Sequence, residues 1–177
     1  GDALLFYIDG DALQGNTVTL AKEDNMLDLD IYGNTIISRH ETAGPVTNSN
    51  FSTAKGAIAD ADILYSVSSG NLTLTSGNDL LVWTGKTFTP GGNVTTRDLI
   101  IQSAATYSAG TFTVTVSGNF TNSGTFTAGT GTVIFDGTGT QLVNSGGSSF
   151  ANLTHSGSGT LQLDVNALNL YGAFVNS

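Results

Sequence analysis

Short apolar runs, each closed by Gly, Ser or Asn, recur along this chain, and in several of them apolar and hydroxyl side chains alternate. In Thr111-Phe-Thr-Val-Thr-Val116 the apolar residues take every second position, the pattern of a strand with one buried face. Leu4, Leu5, Phe6, Tyr7 and Ile8 form an unbroken apolar run, long enough for one fully buried strand. Asn16 to Leu20 and Leu27 to Ile31 alternate in strand fashion, and Gly33-Asn34 punctuates before Thr35-Ile-Ile37. From Leu64 onward the grammar is regular. Asn71 to Thr75, Leu80 to Trp83, Leu99 to Ile101, Thr125 to Thr127, Thr132 to Phe135 and Thr160 to Leu163 are strand candidates between turn residues. Residues 41 to 56 read as a loop, and Ala57 to Tyr65 allows a short helical turn or an irregular strand. No segment sustains a 3.6-residue period, so the expected helix content is low.

Gly-Asn pairs begin at positions 15, 33, 70, 77, 92 and 118, and several gaps between them have the length of one coil of a β-solenoid. Gly and Asn suit such corners because both tolerate the left-handed backbone that sharp turns require. Stacked coils then set Thr over Thr and Asn over Asn at the strand spacing of about 4.8 Å. The predicted fold is therefore all-β, a parallel β-solenoid of repeated short strands. An antiparallel β-sandwich, which shares the frequent turn signals, is the alternative. Residues 1–65 are expected to form a β-rich cap or assembly region, and 66–177 the repetitive region. The phrase Gly118-Asn-Phe-Thr-Asn-Ser123 returns 54 positions later as Gly172-Ala-Phe-Val-Asn-Ser177, which suggests further repeats beyond Ser177.

Composition changes the picture from architecture to role. Charged residues are 11% of the chain, the net charge is −9, and cysteine is absent. Every Lys and Arg lies at or before Arg97, with no cluster to neutralise phosphates, so nucleic acid and anionic membranes are poor partners. No apolar span is long enough to cross a membrane. From residue 99 on, Asp136 and Asp164 are the only charged side chains, too few for the carboxylate groups that polysaccharide-cleaving β-helices need. Catalysis is not expected. Gly85-Lys-Thr87 lacks the upstream glycine and following helix of a phosphate loop, and His40 and His155 lie outside any metal-ligand spacing.

Three acidic pairs remain: Asp9/Asp11, Asp28/Asp30 and Asp60/Asp62. On a strand, positions i and i+2 share a face, so each pair would repel itself unless neutralised. Calcium is the cofactor that would do so, with Asp9, Asp11, Asp28 and Asp30 as ligands and Glu23, Asp24 and Asn25 nearby; no other cofactor is expected. The bland alternative is a solvated acidic face that protects a sheet edge. Asn50, Asn71, Asn93, Asn119 and Asn152 begin glycosylation sequons, which Asn ladders at coil corners would equally explain. Trp83 with Phe88, and Tyr107 with Phe112, are either core or a platform for sugar rings. The run Leu4–Ile8 is either a capping strand or a strand donated to a neighbouring subunit.

The stretch Asn119-Phe-Thr-Asn-Ser-Gly-Thr-Phe-Thr-Ala-Gly-Thr-Gly-Thr-Val-Ile-Phe-Asp-Gly-Thr-Gly-Thr-Gln141, followed by Phe150-Ala-Asn-Leu-Thr154, resembles the Gly/Thr/Asn-rich repeats of large secreted bacterial surface proteins of adhesin or autotransporter-passenger type. The resemblance covers about residues 110–177 and implies an exported, solenoidal, non-enzymatic chain. It implies a subunit or segment of a cell-surface filament or layer that self-associates, or else an adhesin or phage-fibre segment that binds surface glycans.

Overall fold

The computed structural model describes residues 1–21, 26 and 28–177. It is an all-β parallel solenoid with one short helix. The chain enters through β1 (Ala3–Tyr7), β2 (Asn16–Leu20) and β3 (Thr35–His40). It then makes one excursion through α1 (Asn48–Lys55) and a hairpin of β4 (Tyr65–Ser68) and β5 (Asn71–Leu74). Regular three-strand coils follow: β6 (Asp79–Val82), β7 (Thr87–Phe88) and β8 (Val94–Thr96), then β9 (Leu99–Ile101), β10 (Thr106–Ser108) and β11 (Thr113–Val116). The next are β12 (Phe120–Asn122), β13 (Thr125–Thr127) and β14 (Thr132–Phe135), then β15 (Thr140–Asn144), β16 (Ser149–Phe150) and β17 (Asn152–His155). The last described coil is β18 (Thr160–Leu163), β19 (Asn169–Leu170) and β20 (Phe174–Asn176).

Each coil contributes one strand to each of three faces. The first face is an eight-stranded sheet in the order β1-β2-β3-β6-β9-β12-β15-β18. The third is seven-stranded, β20-β17-β14-β11-β8-β5-β4. Between them lie β13-β10-β7 and the pair β16-β19. Coil-to-coil pairing is parallel throughout; only β1 on β2 and β4 on β5 are antiparallel. On the first face Leu80, Leu99, Phe120, Val143 and Leu163 stack at steps of 19, 21, 23 and 20 residues. The Gly-Asn spacing catches this rhythm only in part. The pairs at 70 and 92 do precede stacked strands, β5 and β8, but those at 92 and 118 introduce strands of different faces. The 54-residue echo likewise is not a structural repeat: Phe120 is buried in β12 on the first face, and Phe174 is exposed in β20 on the third.

Alternation decides what fills the interior. In β11, Val114 and Val116 are buried while Thr113 and Thr115 are half-exposed, and β8 and β14 repeat the scheme. The second face supplies an aromatic column in which Phe88, Tyr107, Phe126 and Phe150 follow one another at ring-centroid separations of 5.3, 5.8 and 5.4 Å. Contacts of this kind add about 0.5–1.5 kcal/mol each beyond their buried area. Phe51 of α1 extends the column downward, 5.8 Å from Phe88 and 5.1 Å from Tyr65, and is itself fully buried. The helix packs against β1, β4 and β2 and so seals the first coils.

That helix lies inside 41–56, where the sequence suggested a loop. Its N-terminus is built by Thr47, which accepts the Asn50 N–H while the Asn50 side chain accepts the Thr47 N–H, a reciprocal cap. Asp28 to Ile31, expected to be a strand, is irregular, and Leu27 lies outside the described residues. The Asp30 carbonyl accepts from Thr17 Oγ1 at 2.6 Å and the Asp28 carbonyl from an Arg39 guanidinium nitrogen at 2.5 Å. This segment thus overlies the outer surface of β2 and β3.

Candidate functional site

Repetition brings backbones together, and side chains at the corners exploit it. The Asn71 side-chain oxygen accepts the N–H of Asn93 one coil on, and Asn93 in turn accepts that of Thr113, both at 2.9 Å. Asn152 accepts the Ala173 N–H at 3.0 Å. At the corner before the first face the same relay runs from Asp79 to Asp98 N–H, from Asp98 to Asn119 N–H, and from Asn119 to Leu142 N–H. Four of the five sequon asparagines are therefore hydrogen-bonded to the next coil, and the fifth, Asn50, caps α1. The corners also require close approach. A Cβ at Gly157 or Gly159 would collide with the carbonyl oxygens of Gly137 and Gly139 in the coil beneath. The glycine pairs of this region are therefore stacked turns.

Among the described residues, oppositely charged side chains meet at two places. Arg97 donates through two nitrogens to both oxygens of Asp79, each at 2.6 Å, a bidentate pair. Burial raises the neighbouring Asp98 carboxyl above its usual range; the Asn119 N–H and Arg97 oppose that shift and Asp79 adds to it. Glu41 lies between Arg39 and Lys86. Burial pushes its carboxyl up, but the Arg39 hydrogen bond, both cations and Thr19 outweigh this and hold it below the usual range. His40 ties two coils together, its Nε2 accepting the Thr87 N–H at 3.0 Å while Nδ1 lies 2.7 Å from the Thr42 carbonyl.

At the base of the stack the carboxylates of Asp9, Asp60 and Asp62 lie within 4.8 Å of one another. None of the three Asp-x-Asp pairs sits on a strand. Asp60 and Asp62 meet because the Asp62 N–H donates to Asp60 Oδ1 at 2.9 Å, a turn of the chain rather than a pleat. Asp62 also accepts the Gly10 N–H at 2.6 Å and the Gln14 amide, and Tyr7 O–H reaches Asp60 at 3.4 Å. Lost hydration and the charges of Asp60, Asp9 and Asp62 raise the Tyr7 phenol. Asp11 accepts the Leu13 N–H within its own turn, and Asp28 and Asp30 belong to the segment over the outer surface of β2 and β3. Glu23, Asp24 and Asn25 lie outside the described residues.

Other expected site residues separate. Phe88 and Tyr107 are fully buried in the column, so neither is a platform. Trp83 instead faces Tyr32, with ring centroids 5.8 Å apart, and the Arg39 guanidinium lies 5.8 Å from the Trp83 ring. Tyr32 is 42% exposed. Asp136 follows β14 on the third face and Asp164 follows β18 on the first, both exposed and at different corners. Of the Leu4–Ile8 run, Leu4–Tyr7 lie in β1 and Ile8 follows it; the strand is half-buried rather than fully buried, and pairs in register with β2 from Ala3–Leu20 to Tyr7–Asn16. No helix among the described residues is long and apolar enough to cross a membrane.

The fold and these corners define a parallel β-solenoid in which corner side chains such as Asn71, Asn93, Asp98 and Asn119 join coil to coil. Comparison with known protein families, curated proteins and solved structures finds no match to this chain.

Proposed function

We propose that this chain is a non-catalytic extracellular structural element, a rod-like subunit or segment of a cell-surface filament or layer that associates with its own kind through β-edge contacts. The observation that carries this reading is the long parallel ladders of the first and third faces with their corner relays, in which side chains such as Asn71, Asn93, Asp98 and Asn119 bond the next coil. Hydroxyl rows such as Thr73, Thr95 and Thr115 cover the third face and supply the solvation that charge supplies elsewhere. The separation of Asp136 from Asp164 supports the non-catalytic part. Strand β1 is the outermost strand of the eight-stranded sheet, and an unpaired strand edge is a template for another chain. Negative-stain electron microscopy of the purified chain should reveal linear or lateral assemblies, and Phe6→Lys in β1 should disperse them. Monodisperse single particles at high concentration would overturn the assembly reading.

A second reading, an adhesin segment that binds surface glycans, is favoured by the pairing of exposed Tyr32 with half-buried Trp83. Saturable retention on an immobilised glycan, lost in Trp83→Ala, would select it.

A further inference from the structure

The solenoid departs from its rhythm once within the described residues. From Ile36 to its partner Leu80 the chain runs 44 residues instead of about twenty, and the surplus carries α1 and the β4–β5 hairpin. Insertions in repeat proteins gather on one side and often form the binding surface there. Here the N-terminal turn of α1, the tip of the hairpin and the Pro90-Gly91 corner enclose a cavity of about 500 Å³. That is within the range of small-molecule sites.

Its lining is specific in what it lacks as well as in what it offers. Ser49, Ser52 and Ser69 stand exposed around it, and Asn48 and Pro90 are its buried members. Val67 and Pro90 add apolar surface. Among the described residues, no charged side chain lines it. The helix N-terminus offers an anion little, because the Asn48 N–H is already spent on the Pro90 carbonyl and the Asn50 N–H on Thr47. Asn48 is 1% exposed and donates its amide to the carbonyls of Gly70 and Asn93, yet its Oδ1 has no partner. That oxygen is itself buried, so the polar groups the cavity presents are the exposed serine hydroxyls. The hairpin tip adds a further constraint: Ser69 holds φ at +49°, followed by Gly70 at +79°. Gly or Asn is the usual residue where a two-residue turn needs positive φ, and Ser69 instead places a hydroxyl beside the cavity.

We infer that this cavity binds a neutral, polyhydroxylated ligand of about one sugar ring. The ligand's hydroxyls would meet Ser49, Ser52 and Ser69, and its apolar C–H face would lie on Val67 and Pro90. This site is separate from the Tyr32–Trp83 pair and does not depend on self-association.

The test is a titration of the whole chain with glucose, galactose, mannose and N-acetylglucosamine, each followed by backbone amide NMR to about 100 mM. At least one sugar should produce saturable shifts centred on Ser49, Ser52, Ser69, Gly70 and Gly91. Ser52→Phe fills the mouth from an exposed helix position and should weaken that binding at least about tenfold. Ser49→Phe provides a second blockade should Ser52→Phe disturb the helix, and Trp83→Ala should leave the binding unchanged. No saturable shift with any of the four sugars overturns the inference. So do shifts that survive both Phe variants, and shifts centred on Tyr32 and Trp83.

Discussion

The coils from Asp79 to Leu163 and the base below them share the same sheets but are held together differently. In the coils the corner contacts run in series. Asp98 does for Asn119 what Asn119 does for Leu142, and Phe88, Tyr107, Phe126 and Phe150 fill equivalent places. At the base single residues carry single tasks. Asn16, fully buried in β2, donates to the Asp62 carbonyl at 2.9 Å and accepts the Leu64 N–H at 2.7 Å. It thus fastens the first face to a segment that has no ladder partner there. Phe51 alone closes the aromatic column from below. Repetition spreads stability over many small, similar contacts, whereas beginning a stack concentrates it in a few that have no substitute.

The sharpest way to break this contrast is Phe51→Ala. It should cost about 3–5 kcal/mol, the range for a buried aromatic truncation, and be read as a fall in the urea midpoint. Asn16→Leu leaves the Leu64 N–H and the Asp62 carbonyl without their partner and should cost about 2–4 kcal/mol by the same measurement. Its counterpart among the coils, Asn93→Ala, removes one relay member near solvent and should cost only about 1 kcal/mol. Acid should weaken the base through Glu41. Its folded-state acidity is stronger than in the unfolded chain, so its contribution is present above the unfolded value and is lost as pH falls through the folded one. Glu41→Gln should therefore flatten the acid limb of a stability–pH curve. Tyr107 sharpens the comparison from the other side. It is fully buried, its hydroxyl has no partner, and burial pushes its phenol well up. Tyr107→Phe should be neutral or stabilising by up to about 1 kcal/mol, with no other column position behaving so.

The coils were the legible part of the sequence. Thr132–Phe135 and Thr160–Leu163 match their strands residue for residue, because alternation and flanking glycines act locally and there is little charge to obscure them. Two-residue strands such as Thr87–Phe88 and Ser149–Phe150 are too short for any period, and only the register with neighbouring coils defines them. The helix escaped notice for a related reason. Its eight residues are mostly Ser, Asn and Thr, and Phe51 and Asn48 alone are buried, too few for an amphipathic stripe. Thr47 three residues before Asn50, with Gly56 after Lys55, was the available signal. The acidic pairs were visible, but pairing them by strand geometry failed where the backbone turns. Only the folded chain brings Asp9 to Asp60 and Asp62, some fifty residues away.

Hydrogen exchange on the native chain and on Phe51→Ala tests the distinction between base and coils most directly. The account predicts strong, nearly uniform protection at Leu80–Val82, Leu99–Ile101 and Phe120–Asn122 in the native chain. In the variant, protection should fall most at β2 and β3 and recover coil by coil away from the helix. Equal loss of protection from β2 through β15 would contradict it, because the stack would then open as one unit and the base would hold no special place.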